Sequence, residues 1–407
     1  MLLRGATLAD GTTADIRIRD ELIVAIAPTL DGEAGEAVLE LEGHLVVPSL
    51  AEPHAHLDKA FLSERIVNPT GDLMGAIIAM QTSRHLITVE DTIERAERAV
   101  RLMVSRGATA IRSHADTTHE NGLTSVEALL EVRRRVADIC DLQIVALVSW
   151  PVTGPAGAET RALLRDALAA GADVVGGCPH LDDDPHGANE VLLGIAAEFG
   201  RDVDLHTDET LDIGKLALED LARRVIASGF PHLVTASHCV SLGMQPPDRQ
   251  REIAELVAEA GISVVALPQT NLFLQGRDVQ TAMPRALTAV KALEAAGANV
   301  CAGADNLQDP FNPMGRGDPL ETASLMVLAG HLLPHEALDA VSVGAHQALT
   351  GARPTIAVGR CADLVAVRAR TVREALAFAP DARTVIRKGR LISTSVPDGS
   401  SLEEINC

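Results

Sequence analysis

Apolar residues recur along this chain in two rhythms. Between residues 49 and 305, short apolar runs alternate with stretches in which apolar positions return every three or four residues. The first pattern reads as a buried strand and the second as a helix with one buried face. The runs at 109–114, 142–148, 173–178, 202–206, 233–238, 262–267 and 299–305 predict seven strands, after a first one ending near His54. The stretches at 91–106, 124–138, 157–170, 187–200, 215–228, 249–261 and 285–297 predict the helices between them. Successive strand ends lie about 36 residues apart, the size of a βα unit. Eight such units close into a parallel (β/α)8 barrel, with an open doubly wound sheet as the alternative. The barrel is preferred because its functional groups come from the C-terminal ends of several strands, and polar residues end the apolar runs here.

The two ends of the chain carry a different rhythm. Ala14–Arg19 alternates in and out, as does the second half of Ala37–Glu42. Residues 362–367, 384–387 and 389–392 read the same way. Segments 1–48 and 355–407 are therefore expected to form one discontinuous small β domain, a β-sandwich, beside a barrel spanning 49–354.

Composition narrows the partners. The formal net charge is −21 over 407 residues, which disfavours a nucleic-acid backbone. No polybasic cluster suits an anionic membrane, and no apolar run approaches the ~20 residues of a membrane-spanning helix. The first residues, Met1-Leu2-Leu3-Arg4-Gly5, do not read as a signal peptide. The six cysteines are scattered without a Cys-x-x-Cys pair, as expected of free thiols in a reducing compartment, and the expected location is the cytoplasm. A homo-oligomer acting on a small molecule is the expected form.

The candidate chemistry sits where the strands end. His54 and His56 close the first apolar run; alternate residues of a strand share a face, so two imidazoles project together. His206, His238 and Asp305 end the fifth, sixth and eighth runs. Three imidazoles and a carboxylate suit one Zn²⁺ or Fe²⁺ with room for a water. An unpaired carboxylate after an apolar strand is costly, and a cation relieves that cost at Asp305. Glu209, three residues past His206, is placed to shuttle protons. No lysine ends a strand, so a carbamylated lysine bridging two metals has no candidate. Cys178 ends the fourth run but reads more simply as a structural thiol.

Aromatic residues are scarce: no Tyr, one Trp and six Phe. Phe61, Trp150, Phe273 and Phe311 all fall just beyond predicted strand ends, where rings can sandwich a flat substrate or pack loops together.

The order His54-x-His56, His206-x-x-Glu209, His238, Asp305 resembles the amidohydrolase superfamily, and within it the bacterial cytosine deaminase group. Further phrases carry the resemblance over almost the whole length. They are Glu52–Asp58, Arg112-Ser113-His114-Ala115-Asp116, Asp141–Ala146, Gly171–Gly176, Thr235-Ala236-Ser237-His238 and Leu274-Gln275-Gly276-Arg277. The resemblance implies a (β/α)8 barrel, a small β-sandwich from both termini and a single divalent metal held by His54, His56, His206 and Asp305. It further implies that His238 orients the attacking hydroxide, Glu209 protonates a ring nitrogen and Asp305 accepts the water proton.

Two departures bear on the substrate. Cytosine deaminases carry a glutamine after the third strand that reads the pyrimidine amide edge, and here Ser149 stands at or near that place, beside Trp150. Asn306 replaces their second aspartate, as in the alkylaminotriazine hydrolases, which lack a counterpart of Glu209. Cytosine itself is thus an unfavoured substrate. Ser149, Trp150, Asn306, Phe273 and Phe311 are the candidate substrate contacts. The implied activity is deamination of a small N-heterocycle, such as a modified pyrimidine, isoguanine, a pterin, creatinine or an aminotriazine. Hydrolysis of a cyclic amide or N-alkyl group is the second reading, and a metal-free, non-catalytic barrel the third.

Overall fold

The computed structural model describes residues 1–394, so the last part of the expected terminal domain, with Cys407, lies outside the described residues. The chain opens with strands β1 (Leu2–Thr7), β2 (Thr13–Arg19), β3 (Leu22–Ala27), β4 (Val38–Glu40) and β5 (Leu45–Pro48). The barrel follows with β6 (Leu50–Ala55), β7 (Ala108–Thr117), β8 (Asp141–Val148), β9 (Val174–Gly177), β10 (Asp202–Thr207), β11 (Val234–His238), β12 (Ser263–Ala266) and β13 (Val300–Ala302). Strands β14 (Leu364–Val367), β15 (Arg383–Arg387) and β16 (Arg390–Thr394) complete the described part.

Strands β6 to β13 pair in sequence order, every neighbour parallel. The cylinder closes between β6 and β13: Ala55 bridges Asp305, His54 O accepts from Asp305 N at 3.0 Å and Asp305 O accepts from His56 N at 3.2 Å. The strands are buried almost throughout, as a parallel sheet covered by helices requires. Val100, Leu129, Leu168, Leu192, Leu221 and Ile253, one from each of six surrounding helices, pack into a single core cluster with Ile111, Ile144, Val175 and Leu205.

Strands from both ends meet in a second sheet, in the order β16-β15-β14-β5-β1-β2-β3 with β4 on β1. They share one apolar cluster that includes Leu3, Ile16, Ile23, Val46, Leu364 and Ile386. The expected sandwich is thus built as one hydrogen-bonded path rather than two separate sheets.

The strands match the periodicity closely, but the helices match only in part. The expected helix 285–297 is shortened to Val290–Ala295. Helices Leu73–Thr82, Pro268–Leu274, Pro319–Leu328, Pro334–Ala340, Val343–Thr350 and Val372–Phe378 were not expected. Leu73–Thr82 shows why: Met74 and Ile78 are exposed large apolar residues on one side, while Ala76 and Ala79 are buried on another. No polar stripe marks the solvent face, so no helical periodicity shows.

A buried ion pair fastens the terminal sheet to the barrel. Arg383 on β15 donates from Nη1 and Nη2 to Asp318 at 2.7 and 2.6 Å, and to the Arg106 carbonyl at 2.6 Å. Both side chains are wholly buried, and Asp318 also caps helix Pro319–Leu328. Removing one partner of such a pair strands a buried charge, at a cost of about 3–5 kcal/mol. Arg383→Met is therefore expected to lower the unfolding free energy, extrapolated from urea melts, by about that amount. The double variant Arg383→Met/Asp318→Leu is expected to recover part of the loss.

Candidate metal centre

The histidines and Asp305 arrive from four strand ends at one point. His54 lies at the end of β6 with His56 just beyond it; His206 and His238 end β10 and β11; Asp305 follows β13. Parallel register sets His206 opposite Ser237 and Thr207 opposite His238, so alternation alone would put the two rings on different faces. The left-handed backbone at His238 breaks that alternation, and its ring centroid lies 5.0 Å from that of His206. His56 Nε2 is 3.2 Å from His206 Nε2 and 3.2 Å from Asp305 Oδ1. His54 Nε2 lies 3.6 Å from Asp305 Oδ1, and His238 Nε2 lies 3.9 Å from Asp305 Oδ2. Donors about 2.0–2.1 Å from one tetrahedral ion stand about 3.3 Å apart, so these separations fit a shared cation.

The unmet bonding capacity points the same way. His54 Nε2, His238 Nε2 and both Asp305 carboxylate oxygens are buried with no hydrogen-bond partner. Four orphaned acceptors around one point would be costly without a cation. Burial, followed by the neighbouring imidazoles, drives His54 and His206 well below the usual histidine pKa. Burial and Lys59 do the same to His56. All three are thus held in the neutral, ligand-competent form. Burial lifts Asp305 to about 7 and Glu209 to about 8. A cation beside Asp305 would restore its carboxylate form.

Hydrogen bonds behind the ligands fix which nitrogen faces inward. Ser237 Oγ donates to Asp204 Oδ1 at 2.8 Å and so accepts from His54 Nδ1 at 2.9 Å, leaving Nε2 bare toward the axis. Arg112 donates to Asp204 Oδ2 at 2.9 Å and, with His114, keeps that buried carboxyl ionised although burial opposes it. His238 Nδ1 donates to Asn271 Oδ1 at 3.0 Å, again baring Nε2. Lys59 Nζ lies 3.0 Å from His56 Nδ1 and 2.7 Å from Asp116. Glu52 accepts from His54 N at 3.1 Å and from Ala304 N at 3.0 Å, tying the two edges of the closing seam. Gly303 must be glycine there, because a Cβ would lie 2.5 Å from the Glu52 carboxylate. His238 and Asp305 both adopt left-handed backbones, with φ of 68° and 66°. Non-glycine residues are held so at about 1–3 kcal/mol each, and such strain clusters at functional sites.

The centre floors a cavity of about 330 Å³. Ser149, Trp150, Phe311, Glu209, His238 and Asp305 line it, as does Asn306. The Asn306 carboxamide is already committed, however. Its Nδ2 donates to Asp309 at 2.8 Å and its Oδ1 accepts from Thr270 at 3.2 Å. It braces the loop after β13 rather than offering a free edge to substrate. Phe273 is a correction: it does not line the cavity, and its ring lies under Arg277 at 4.4 Å. Phe61 likewise packs under Arg98 at 4.1 Å. Helix Pro268–Leu274 explains the miss, since it directs Thr270 and Asn271 inward and leaves Phe273 on its outer flank.

Sequence reasoning assigned no role to His114, Arg112, Asp204, Ser237, Asn271, Glu52 or Asp116. His114 is fully buried, with its ring centroid 3.9 Å from that of His54. The available signal was polar residues inside apolar strands: Arg112 and His114 in β7, Asp204 in β10 and Ser237 in β11. Their buried charge demands partners inside the barrel. Cys178 lines the cavity but joins none of the donor groups, and burial raises its thiol pKa.

Asp305→Ala removes two of the four orphaned acceptors and one side of the closing seam's charge. The purified variant is expected to lose most of its bound divalent metal by elemental analysis. His114→Ala, which deletes no ligand, is expected to retain it.

Comparisons with known proteins agree with this centre. Residues 62–393 match the model of the family described as "Amidohydrolase family". The chain is 36% identical over 400 residues to a pterin deaminase of Rhizobium rhizogenes (strain K84 / ATCC BAA-868), covering 96% of this chain and 90% of that protein. A 5-methylcytosine deaminase from Klebsiella pneumoniae, solved with phosphonocytosine, superposes with a TM-score of 0.88 at 31% identity, over 97% of this chain and 98% of that one. An N-isopropylammelide isopropylaminohydrolase from Burkholderia multivorans ATCC 17616 superposes with a TM-score of 0.84 at 31% identity, with the same coverage. A closed parallel barrel, a terminal sheet and a histidine–aspartate cation centre at the strand ends stand beside a family match over most of the length: the chain belongs to the amidohydrolase family.

Proposed function

We propose that this protein is a deaminase with one Zn²⁺ or Fe²⁺ that hydrolyses the cyclic amidine of an oxo-substituted amino-N-heterocycle, a pterin being the first compound to test. The observation that carries the reading is the convergence of His54, His56, His206, His238 and Asp305 under a cavity that also holds a buried acid, Glu209. The bicyclic ring is favoured over cytosine by Ser149, which stands where cytosine deaminases place a glutamine, and by the similarity to a pterin deaminase. Trp150 and Phe311 offer flat apolar faces for such a ring.

His54, His56, His206 and Asp305 would hold the ion, which supplies Lewis acidity toward water and the amidine carbon. His238 Nε2 faces the same point and orients the attacking water. Asp305 accepts a proton from that water as oxygen adds to the amidine carbon. Glu209, whose burial favours its protonated form, hands its proton to the adjacent ring nitrogen. Asp305 then returns its proton to the amino group, and the C–N bond breaks to release ammonia. The remaining hydroxyl proton goes to Glu209, leaving a lactam and restoring the acid.

Cleavage of an N-alkylamino group is the second reading, favoured by the similarity to the isopropylaminohydrolase. It would use the same cation centre and release an alkylamine, and the presence of Glu209, which the alkylaminotriazine hydrolases lack, counts against it. A non-catalytic barrel is disfavoured by the complete donor set and by Glu209 beside it, 3.6 Å from His238 Nδ1.

The test is an ammonia-release screen of metal-replete protein over amino-pteridines, aminopyrimidines and alkylaminotriazines. Ammonia from a pterin supports the reading; alkylamine from a triazine with no ammonia from any ring replaces it. Glu209→Gln is expected to keep its metal and lose at least about 100-fold in kcat. Trp150→Ala is expected to raise KM for a bicyclic substrate roughly tenfold with kcat little changed. An unchanged KM would show that Trp150, 37% exposed, only packs its loop.

A further inference from the structure

One stripe of helix Leu73–Thr82 and the turn after it forms a wall of the cavity: Leu73, Ile77, Met80, Gln81 and Arg84. Their spacing is that of one helical face. The stripe is apolar for its first three members and polar at its end. Neither the Gln81 carboxamide nor the Arg84 guanidinium makes a hydrogen bond or ion pair among the described residues; the Arg84 carbonyl accepts from Ile87 N at 3.1 Å. Arg84 is half-buried, and Asp58 and Asp116 lie within its electrostatic reach. Asp116 Oδ1 accepts from Lys59 at 2.7 Å and Asp58 Oδ2 accepts from Asp116 N at 2.9 Å, while Asp58 Oδ1 is buried without a hydrogen-bond partner. The other two carboxamides on the cavity wall already donate within the protein, although Asn121 Oδ1 is buried without a partner. Asn121 donates to the Asp116 carbonyl and to Ser125, and Asn306 is tied to Asp309 and Thr270. A carboxamide and a guanidinium are thus left open toward the substrate space, next to an apolar strip that a flat ring can lie on.

We infer that Gln81 and Arg84 form the subsite that reads the lactam edge of the heterocycle, its ring carbonyl and adjacent N–H. The inference rests on the deaminase reading above. A carboxamide matches a cyclic amide in both directions, since its oxygen accepts from the ring N–H and its NH₂ donates to the carbonyl. Arg84 adds a charged donor to the same oxygen. Leu73, Ile77 and Met80 cover the apolar face of the ring beside that edge. The recognition that cytosine deaminases assign to a glutamine after the third strand is here moved to the helix that follows the first strand. Ser149, too short to read an amide edge in both directions, then leaves room for the second ring.

The test compares pterin with 2-aminopteridine, which lacks the oxo group, on metal-replete wild type, Gln81→Leu, Arg84→Met and Arg84→Lys. Binding of pteridine-2,4-dione, the deamination product of pterin, is followed in parallel by its fluorescence. Wild type is expected to prefer pterin. Gln81→Leu and Arg84→Met are expected to raise its KM by about 10- to 100-fold, to weaken product binding by a similar factor and to leave kinetics on 2-aminopteridine unchanged. Arg84→Lys is expected to recover part of the loss. Metal content and melting temperature, unchanged in all variants, separate this from a folding defect. Equal losses on both compounds, or none, overturn the subsite while the deaminase reading stands. A loss confined to pterin-6-carboxylate assigns Arg84 to a substituent and likewise overturns it. A wild type that releases no ammonia from any ring overturns both.

Discussion

Bare acceptor atoms converging in a buried space are the constraint on which the rest of this structure depends. Imidazole nitrogens and a carboxylate point at one another across 3.2–3.9 Å. Such an arrangement is tolerable only if a cation shares the lone pairs and the scaffold is stiff enough to hold them. The stiffness is visible in where the ligands stand. His54, His56 and Asp305 lie on the seam where the first and last barrel strands meet, so the backbone bonds that close the cylinder also set their spacing. Glu52 reaches across that seam to backbone N–H groups on both sides. The left-handed backbones at His238 and Asp305 are the local strain that this rigidity supports.

The charge buried deeper in the barrel extends the same logic. Arg112 and Asp204 form a fully buried pair whose net contribution to stability is small once desolvation is counted. Its consequence is orientation. Asp204 anchors the Ser237 hydroxyl, and Ser237 anchors His54 Nδ1, so a charge pair in the barrel interior decides which tautomer the ligand presents at the mouth. The buried Arg383–Asp318 pair does comparable work between the terminal sheet and the barrel, where a salt bridge selects geometry more than it adds stability.

The barrel and the convergence of the candidate metal donors were legible because strands announce themselves twice, by an apolar run and by the polar residue that ends it. Every barrel strand lies within its expected run or overlaps most of it, and the five expected donors meet. What stayed hidden did so for physical reasons. Helix Leu73–Thr82 lies over a cavity on one side and meets solvent with Met74 and Ile78 on another, so its composition shows no polar face. Phe273 and Phe61 were read from position alone, yet a ring just past a strand end can turn outward as readily as inward; both lie under arginines instead. Asn306 reached the cavity as expected, but nothing local shows that Asp309 and Thr270, the latter on helix Pro268–Leu274, have claimed its amide. Residues that support the ligands, such as Ser237 and Asp204, are visible only as polar intrusions until the register pairs them.

These contrasts separate two kinds of residue around one cavity. The candidate cation donors stand at strand ends, in a frame shared by the whole barrel, and moving His54, His56 or Asp305 disturbs the closure itself. The groups that line the rest of the cavity, Trp150, Phe311 and the stripe from Leu73 to Arg84, stand on loops and a peripheral helix. That helix is capped by Asp72 and held near Pro310 by Asn68, but it contributes no strand to the cylinder. Changing them alters what fits without loosening the cation site. A chain can therefore give up the glutamine that reads a pyrimidine, keep its donor set unchanged and supply amide recognition from another wall. Similarity to deaminases of pterins and of pyrimidines and to an isopropylaminohydrolase at once is compatible with that division, since a barrel frame can hold one donor set while its loops differ.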